Sequence, residues 1–189
     1  MKTTYLLIAC LAAFSLSFVT LVQDNPFMQK IAPLNEAKLN RTETTLSAGL
    51  KREASSWNNE SFNAIVFTGP NFIKKRNIAG FLAQKKNAGL FIVDLSRVVS
   101  GNILTTRRNL DIVFENAAGK NVVLLFDEGE SLFGRRTNVN NSHNRYDSAG
   151  TAYFIRQLVN YRTSIIMSVK NETAVNPVLF ENFVRFDIH

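Results

Sequence analysis

The stretch Asn121-Val122-Val123-Leu124-Leu125-Phe126-Asp127-Glu128 decides how this chain folds. Five apolar residues run together, two carboxylates follow, and Gly129 comes next. So short and β-prone a run predicts a strand buried on both faces, as in a parallel sheet covered by helices. Two acids at its end stand at the sheet's carboxyl edge, where open α/β sheets bind ligands. In phosphoryl-transfer sites laid out this way, the Asp holds Mg²⁺ through its shell and the next Glu polarises the attacking water. The same acids also suit a strand that only caps its sheet edge or pairs with nearby arginines.

The flanking sequence alternates strands with helices. A strand over Asn63 to Thr68 leads into Gly69-Pro70. A helix from about Lys74 to Lys86, with Ile78, Phe81 and Leu82 apolar, ends at Asn87-Ala88-Gly89. Leu90 to Asp94 is the second strand, and Leu104 to Ala118 a second helix closed by Gly119. After the central strand comes a loop rich in Asn, Arg and Ser (Gly134 to Asp147), then a helix from about Ser148 to Tyr161. Strands at Ser164–Ser168 and Val184–Ile188 complete the set. This order predicts an α/β fold: a parallel sheet with helices on both faces, in three layers. Ahead of it, Gln23 to about Lys30 is polar, contains Pro26 and reads as a tether. Leu34 to Trp57 carries apolar residues at helical spacing, enough for one or two amphipathic helices.

The first thirty residues differ. Lys2 precedes an uncharged run from Tyr5 to Val22, 18 residues long. That is the lower limit for a membrane-spanning helix. Ser15 and Ser17 also give the run the layout of a secretory signal. Both readings stand: a single N-terminal anchor, or export after cleavage. Three parts follow: a signal or anchor over residues 1–22, a tether and helical segment over 23–62, and an α/β core over 63–189. Cys10 is the only cysteine, so the core has no disulfide or thiolate metal site. His143 and His189, the only histidines, have no second ligand at metal spacing. The chain carries 46% apolar residues, a formal charge of +7 and a pI near 9.8. Its basic residues form no stripe with interleaved aromatics, so no nucleic acid is expected as a partner.

A phosphate-binding loop after the first strand would read G-x-x-x-x-G-K-[ST] and open a helix. Here Gly69-Pro70-Asn71-Phe72-Ile73-Lys74-Lys75-Arg76 stands there. Gly69 and Lys75 match. Lys74 replaces the second glycine and loses access to positive φ and close phosphate approach. Arg76 replaces the hydroxyl that would ligate Mg²⁺. Three consecutive cations at a helix start attract an anion, or are simply solvated.

Taken together, these stretches resemble the core of the AAA+ ATPases, a P-loop NTPase family, including bacterial members of contractile injection systems. Ile65 to Pro70 resembles the strand entering the phosphate loop. Val93 to Ser100 is similar to the family's second strand and turn. Leu124 to Arg136 is similar to Walker B and its extension, and His143 to Tyr146 to a continuation seen in bacterial members. The resemblance implies ATP and Mg²⁺ as ligands, with Asp127 holding the metal, Glu128 catalytic, and Gly69, Lys75 and Arg76 at the nucleotide. It also implies a protein partner or an oligomer. The departures cluster at the chemistry. Gly101-Asn102 replaces the pore-loop aromatic, Lys170 the sensor asparagine (with Asn171 adjacent), and Glu181-Asn182 the arginine fingers. The helical lid is not expected before His189. Two functions follow from the resemblance, beside a third reading as a truncated remnant with no settled role. One is a pseudo-ATPase serving as a membrane-associated or exported interaction module. The other is a nucleotide-binding ATPase hydrolysing ATP with Asp127 and Glu128, inside a mixed oligomer.

Overall fold

The structure, a computed structural model, describes residues 25–57, 63–134, 144–171, 173, 175–177, 181 and 183–189, with backbone alone at 144–148. The expected signal or anchor over 1–22 lies outside these residues, as do Arg135, Arg136, His143 and Asn182. Among the described residues no helix is long and apolar enough to cross a membrane.

Six strands form one sheet: β1 (Met28–Ile31), β2 (Ala64–Thr68), β3 (Gly89–Asp94), β4 (Val122–Asp127), β5 (Ser164–Ser168) and β6 (Val184–Asp187). Their order is β1-β3-β4-β5-β2-β6. All neighbours from β3 to β6 run parallel. Around them lie α1 (Glu36–Thr45), α2 (Ala48–Ser56), α3 (Phe72–Lys85), α4 (Leu95–Val98), α5 (Ile103–Ala117), α6 (Glu130–Phe133) and α7 (Asn144–Tyr161).

The strand alternation sets two cores. Val66, Val93, Leu124, Phe126, Ile165 and Met167 face α5 and α7. Ile65, Phe67, Val123, Leu125 and Ile166 face α2 and α3. With both sheet faces covered, each central strand reads as a continuous apolar run. On the first face an aromatic cluster fixes α7: Phe154 meets Phe126, Phe133 and Phe114 edge-on, with centroids 5.0, 5.5 and 5.6 Å apart.

The tether expected over Gln23 to Lys30 gives way at Met28. Met28–Ile31 pairs antiparallel with β3, Met28 opposite Val93 and Ile31 opposite Leu90. Only those two end residues turn inward, so a polar-looking edge strand carries almost no apolar signal. Asn25 anchors its start, accepting from Phe27 N (2.9 Å) and donating to Ile112 O (3.3 Å). The helical segment is two helices. Asn35 caps α1 by accepting from Lys38 N, and Ser47 caps α2 by accepting from Leu50 N. α7 begins four residues ahead of Ser148, which shortens the expected loop.

The chain leaves β2 for β3 on one side and returns to β6 on the other. The strand order therefore reverses beside β2, the place where such sheets take ligands. The carboxyl ends of β2, β4 and β5 meet there.

Candidate functional site

β2 ends at Thr68, and α3 starts at Phe72, two residues before the expected Lys74. The intervening turn is only Gly69 to Asn71, because the helix begins inside the expected phosphate loop. Asn71 is the reason: its side chain accepts from Lys74 N at 3.0 Å. Phe72 N donates to Pro70 O and Lys75 N to Asn71 O, each at 3.1 Å. Three donors of the first turn are thus spent inside the chain.

Gly69 has φ +109°. Ile188 N donates to Thr68 O at 2.8 Å. That bond brings the Ile188 carbonyl to 2.3 Å from where a Cβ on Gly69 would stand. Ile188, just past β6, therefore packs over Gly69. Lys74 Nζ donates to His189 O at 2.5 Å. Arg76 is exposed and lines a small cleft with Pro33, Asn35 and Lys38. It is not brought to the carboxylates.

Lys75 sits on the inward face of α3 and is 1% exposed. Its ammonium donates to Val169 O (2.8 Å) and Ser168 Oγ (3.1 Å) at the end of β5. The Ser168 hydroxyl in turn bonds the Asp127 carboxylate, as does the Glu128 N–H. Burial pushes Lys75 below its ordinary value, opposed by the nearby charges of Asp127, Glu130 and Glu128. Burial also pushes Asp127 up, opposed by those two hydrogen bonds.

The second acid has its own cation. Lys170 Nζ stands 2.6 Å from Glu128 Oε1, and this bond raises the Lys170 pKa. Glu130 Oε1 accepts from Asn171 N at 3.1 Å and from Lys170 N, clamping the β5 exit. The Asn171 side chain accepts from Thr173 N and Oγ1, so it serves a local turn. Gly129 allows the strand ends to meet. Its N–H donates to Ser168 O at 2.9 Å, and a Cβ there would stand 2.6 Å from Val169.

The structure therefore brings together Lys75 and Asp127 through Ser168, with Glu128 beside them. Ser168 and Glu130 were not singled out from sequence. The one available signal for Ser168 is a hydroxyl closing the apolar run Ile165-Ile166-Met167.

Two expected results arise here. Glu128 has φ +55°, a left-handed conformation costing a side chain roughly 1–2 kcal/mol. Its exposed ion pair returns less than about 1 kcal/mol. Glu128→Gly is thus expected to raise the unfolding free energy by about 1 kcal/mol in urea titration; a loss contradicts strain at this residue. The second concerns pH. The folded-state pKa of Asp127 lies above 3.8, so the folded chain holds that proton where the unfolded chain has released it. The resulting stability is fully present below 3.8 and is lost as pH rises through the folded value. Wild type should therefore gain stability relative to Asp127→Asn as pH falls from 7 toward 4. A difference that stays flat or shrinks rejects the burial effect.

The family model described as "ATPase family associated with various cellular activities (AAA)" matches residues 65–189. This chain belongs to the AAA family. Its sheet order and flanking helices are those of the AAA+ P-loop NTPase fold. The AAA domain is similar to that of FIGL-1, with 18% identity and TM-score 0.57, covering 91% of this chain and 60% of that one. It is also similar to the FIGL-1 AAA domain in complex with ADP (14%, TM-score 0.57, 91% and 61%). A chain of the E. coli MS115-1 HORMA:CdnC:Trip13 complex matches at 15% identity and TM-score 0.56, covering 86% of this chain and 69% of that one. At these identities the likeness is one of fold. The chain spans about three-fifths of the length of the FIGL-1 chains. A search of curated proteins found no match.

A cleft of about 430 Å³ lies at the opposite, amino-terminal edge of the AAA sheet, lined by Lys86, Lys120, Asn121, Tyr161, Arg162 and Ser164 among others. There α5 and α7 end, and cations suit the negative ends of helices. The family's chemistry belongs to the other edge.

Proposed function

We propose that this AAA domain does not turn over ATP and serves as a protein-interaction module. The observation that carries the reading is the placement of Lys75. Its ammonium is buried between Val169 O and Ser168 Oγ, one hydrogen bond from Asp127. It is committed to the sheet edge that a metal would share. The residues present do not fit a magnesium triphosphate. The α3 donors are spent on Asn71 and Pro70, Ile188 covers Gly69, position 76 offers a guanidinium in place of a hydroxyl, and Glu128 is paired with Lys170. Phosphoryl transfer needs positioned donors and free charge at the reacting phosphate. Here Glu128 is paired with Lys170, and Asp127 is linked to Lys75 through Ser168.

The competing reading is a nucleotide binder using Lys75, Asp127 and Glu128, with ATP and Mg²⁺ and partners in a mixed oligomer. One observation favours it: those three residues do converge where the sheet order reverses. Fluorescent-ATP titration of the full chain, with and without Mg²⁺, separates the two. The module reading expects no saturable binding up to millimolar ATP in a folded sample. Micromolar, Mg²⁺-dependent binding overturns it, and hydrolysis abolished by Glu128→Gln then establishes the enzyme.

We further propose that residues 1–22 place the module at a membrane, as an anchor, or outside it after cleavage. N-terminal sequencing of the chain recovered from membrane and soluble fractions tests this; an intact chain confined to the soluble fraction rejects both forms.

A further inference from the structure

We propose that the outer face of α5 and α7, centred on Tyr153, is a docking surface for an acidic segment of a partner protein. In naming the partner's chemistry, this rests on the interaction-module reading.

Tyr153 carries two guanidinium groups. Arg156 lies 4.7 Å and Arg107 5.2 Å from its ring centroid. The ring itself is fixed. Its hydroxyl donates to Asp111 Oδ1 at 2.5 Å, and Gln157 Nε2 donates to both the hydroxyl (2.8 Å) and Asp111. Asp111 is thereby occupied by Tyr153 and Gln157. Among the described residues no carboxylate lies within ion-pair distance of Arg107 or Arg156. Arg107 Nε is buried without a hydrogen-bond partner. Two cations are thus held by an aromatic face and, among the described residues, by no carboxylate.

The surroundings suit a protein partner. Arg108 and Arg156 are exposed. Leu104 and Val159, on the same two helices, are each 69% exposed. Underneath, Phe114 and Phe154 lock α5 to α7. A rigid frame lowers the ordering cost of binding. Tyrosine and arginine are the residues that dominate interface energetics. Planar guanidinium forks match carboxylates two bonds at a time. A nucleic acid fits less well. Three arginines give a short footprint, and Asp111 with exposed Glu115 on α5 would repel a continuous line of phosphates. Discrete carboxylates on a short peptide can sit between them.

The test is fluorescence anisotropy of a fluorescein-labelled peptide of four Glu-Glu-Tyr repeats, titrated with the full chain at about 0.15 M salt. The expected result is saturable binding, weakened at least about tenfold by Arg107→Lys with Arg156→Lys. That pair keeps both charges and removes only the planar forks. Lys51→Ala with Arg52→Ala, on α2, should leave binding unchanged. Circular dichroism melts confirm that the lysine variant is folded. Absence of saturation overturns the proposal. So does equal binding by the lysine variant, equal loss in the α2 variant, or competition by a DNA duplex as effective as that of unlabelled peptide. The ATP titration on the same preparation reads the other edge of the molecule, so failure here and failure of the module reading give different results.

Discussion

Replacing Lys75 by methionine lowers the unfolding free energy by about 3 kcal/mol. Methionine fills most of the lysine's volume, so the loss reports the ammonium and not a cavity. Without it, Val169 O and Ser168 Oγ lose a charged donor. Asp127 loses the cation that opposes its burial. Removing one partner of a buried charged cluster costs more than the pair contributes, because the other partner stays buried. Urea unfolding at neutral pH measures the change. A lysine left in solvent at this helix start would lose little by the same substitution. A loss below about 1 kcal/mol therefore contradicts a structural role for Lys75, since that is the range of surface pairs.

Gly69→Ala is expected to cost about 4 kcal/mol, from a strained backbone and an overpacked contact together. The added Cβ would meet the Ile188 carbonyl at 2.3 Å, and φ at this residue is +109°. Neither can relax alone, because Ile188 N is bonded to Thr68 O. Gly119→Ala supplies the control. It also has positive φ, but no atom lies within 4 Å of the added Cβ, so only the roughly 1–2 kcal/mol backbone cost applies. Equal losses at the two glycines would mean that Ile188 does not pack over Gly69.

The central sheet was legible because a parallel strand covered on both faces must be apolar throughout. Val122 to Phe126, Ile65 to Phe67 and Ile165 to Met167 all meet that condition. β1 was not legible because an edge strand with two inward residues leaves no such run. The candidate site was legible in position but not in state. Asp127, Glu128 and Lys75 do converge. Lys75 stands at the phosphate-loop position in sequence, but Asn71 caps a helix that begins inside that loop. The sequence showed Lys170 in place of an asparagine. It could not show that this lysine reaches Glu128, because that contact depends on how Glu130 clamps the end of β5.

The most direct test of a self-satisfied carboxyl edge is the unfolding free energy of the full chain with and without millimolar Mg-ATP. A ligand that binds only the folded state stabilises it by about 2.7 kcal/mol at a hundred times its Kd. The proposed reading predicts no change, because Lys75 is bonded to Val169 O and Ser168 Oγ and Lys170 to Glu128. A Mg²⁺-dependent rise of that order would contradict it, and would make the lysines displaceable guards of a working nucleotide site.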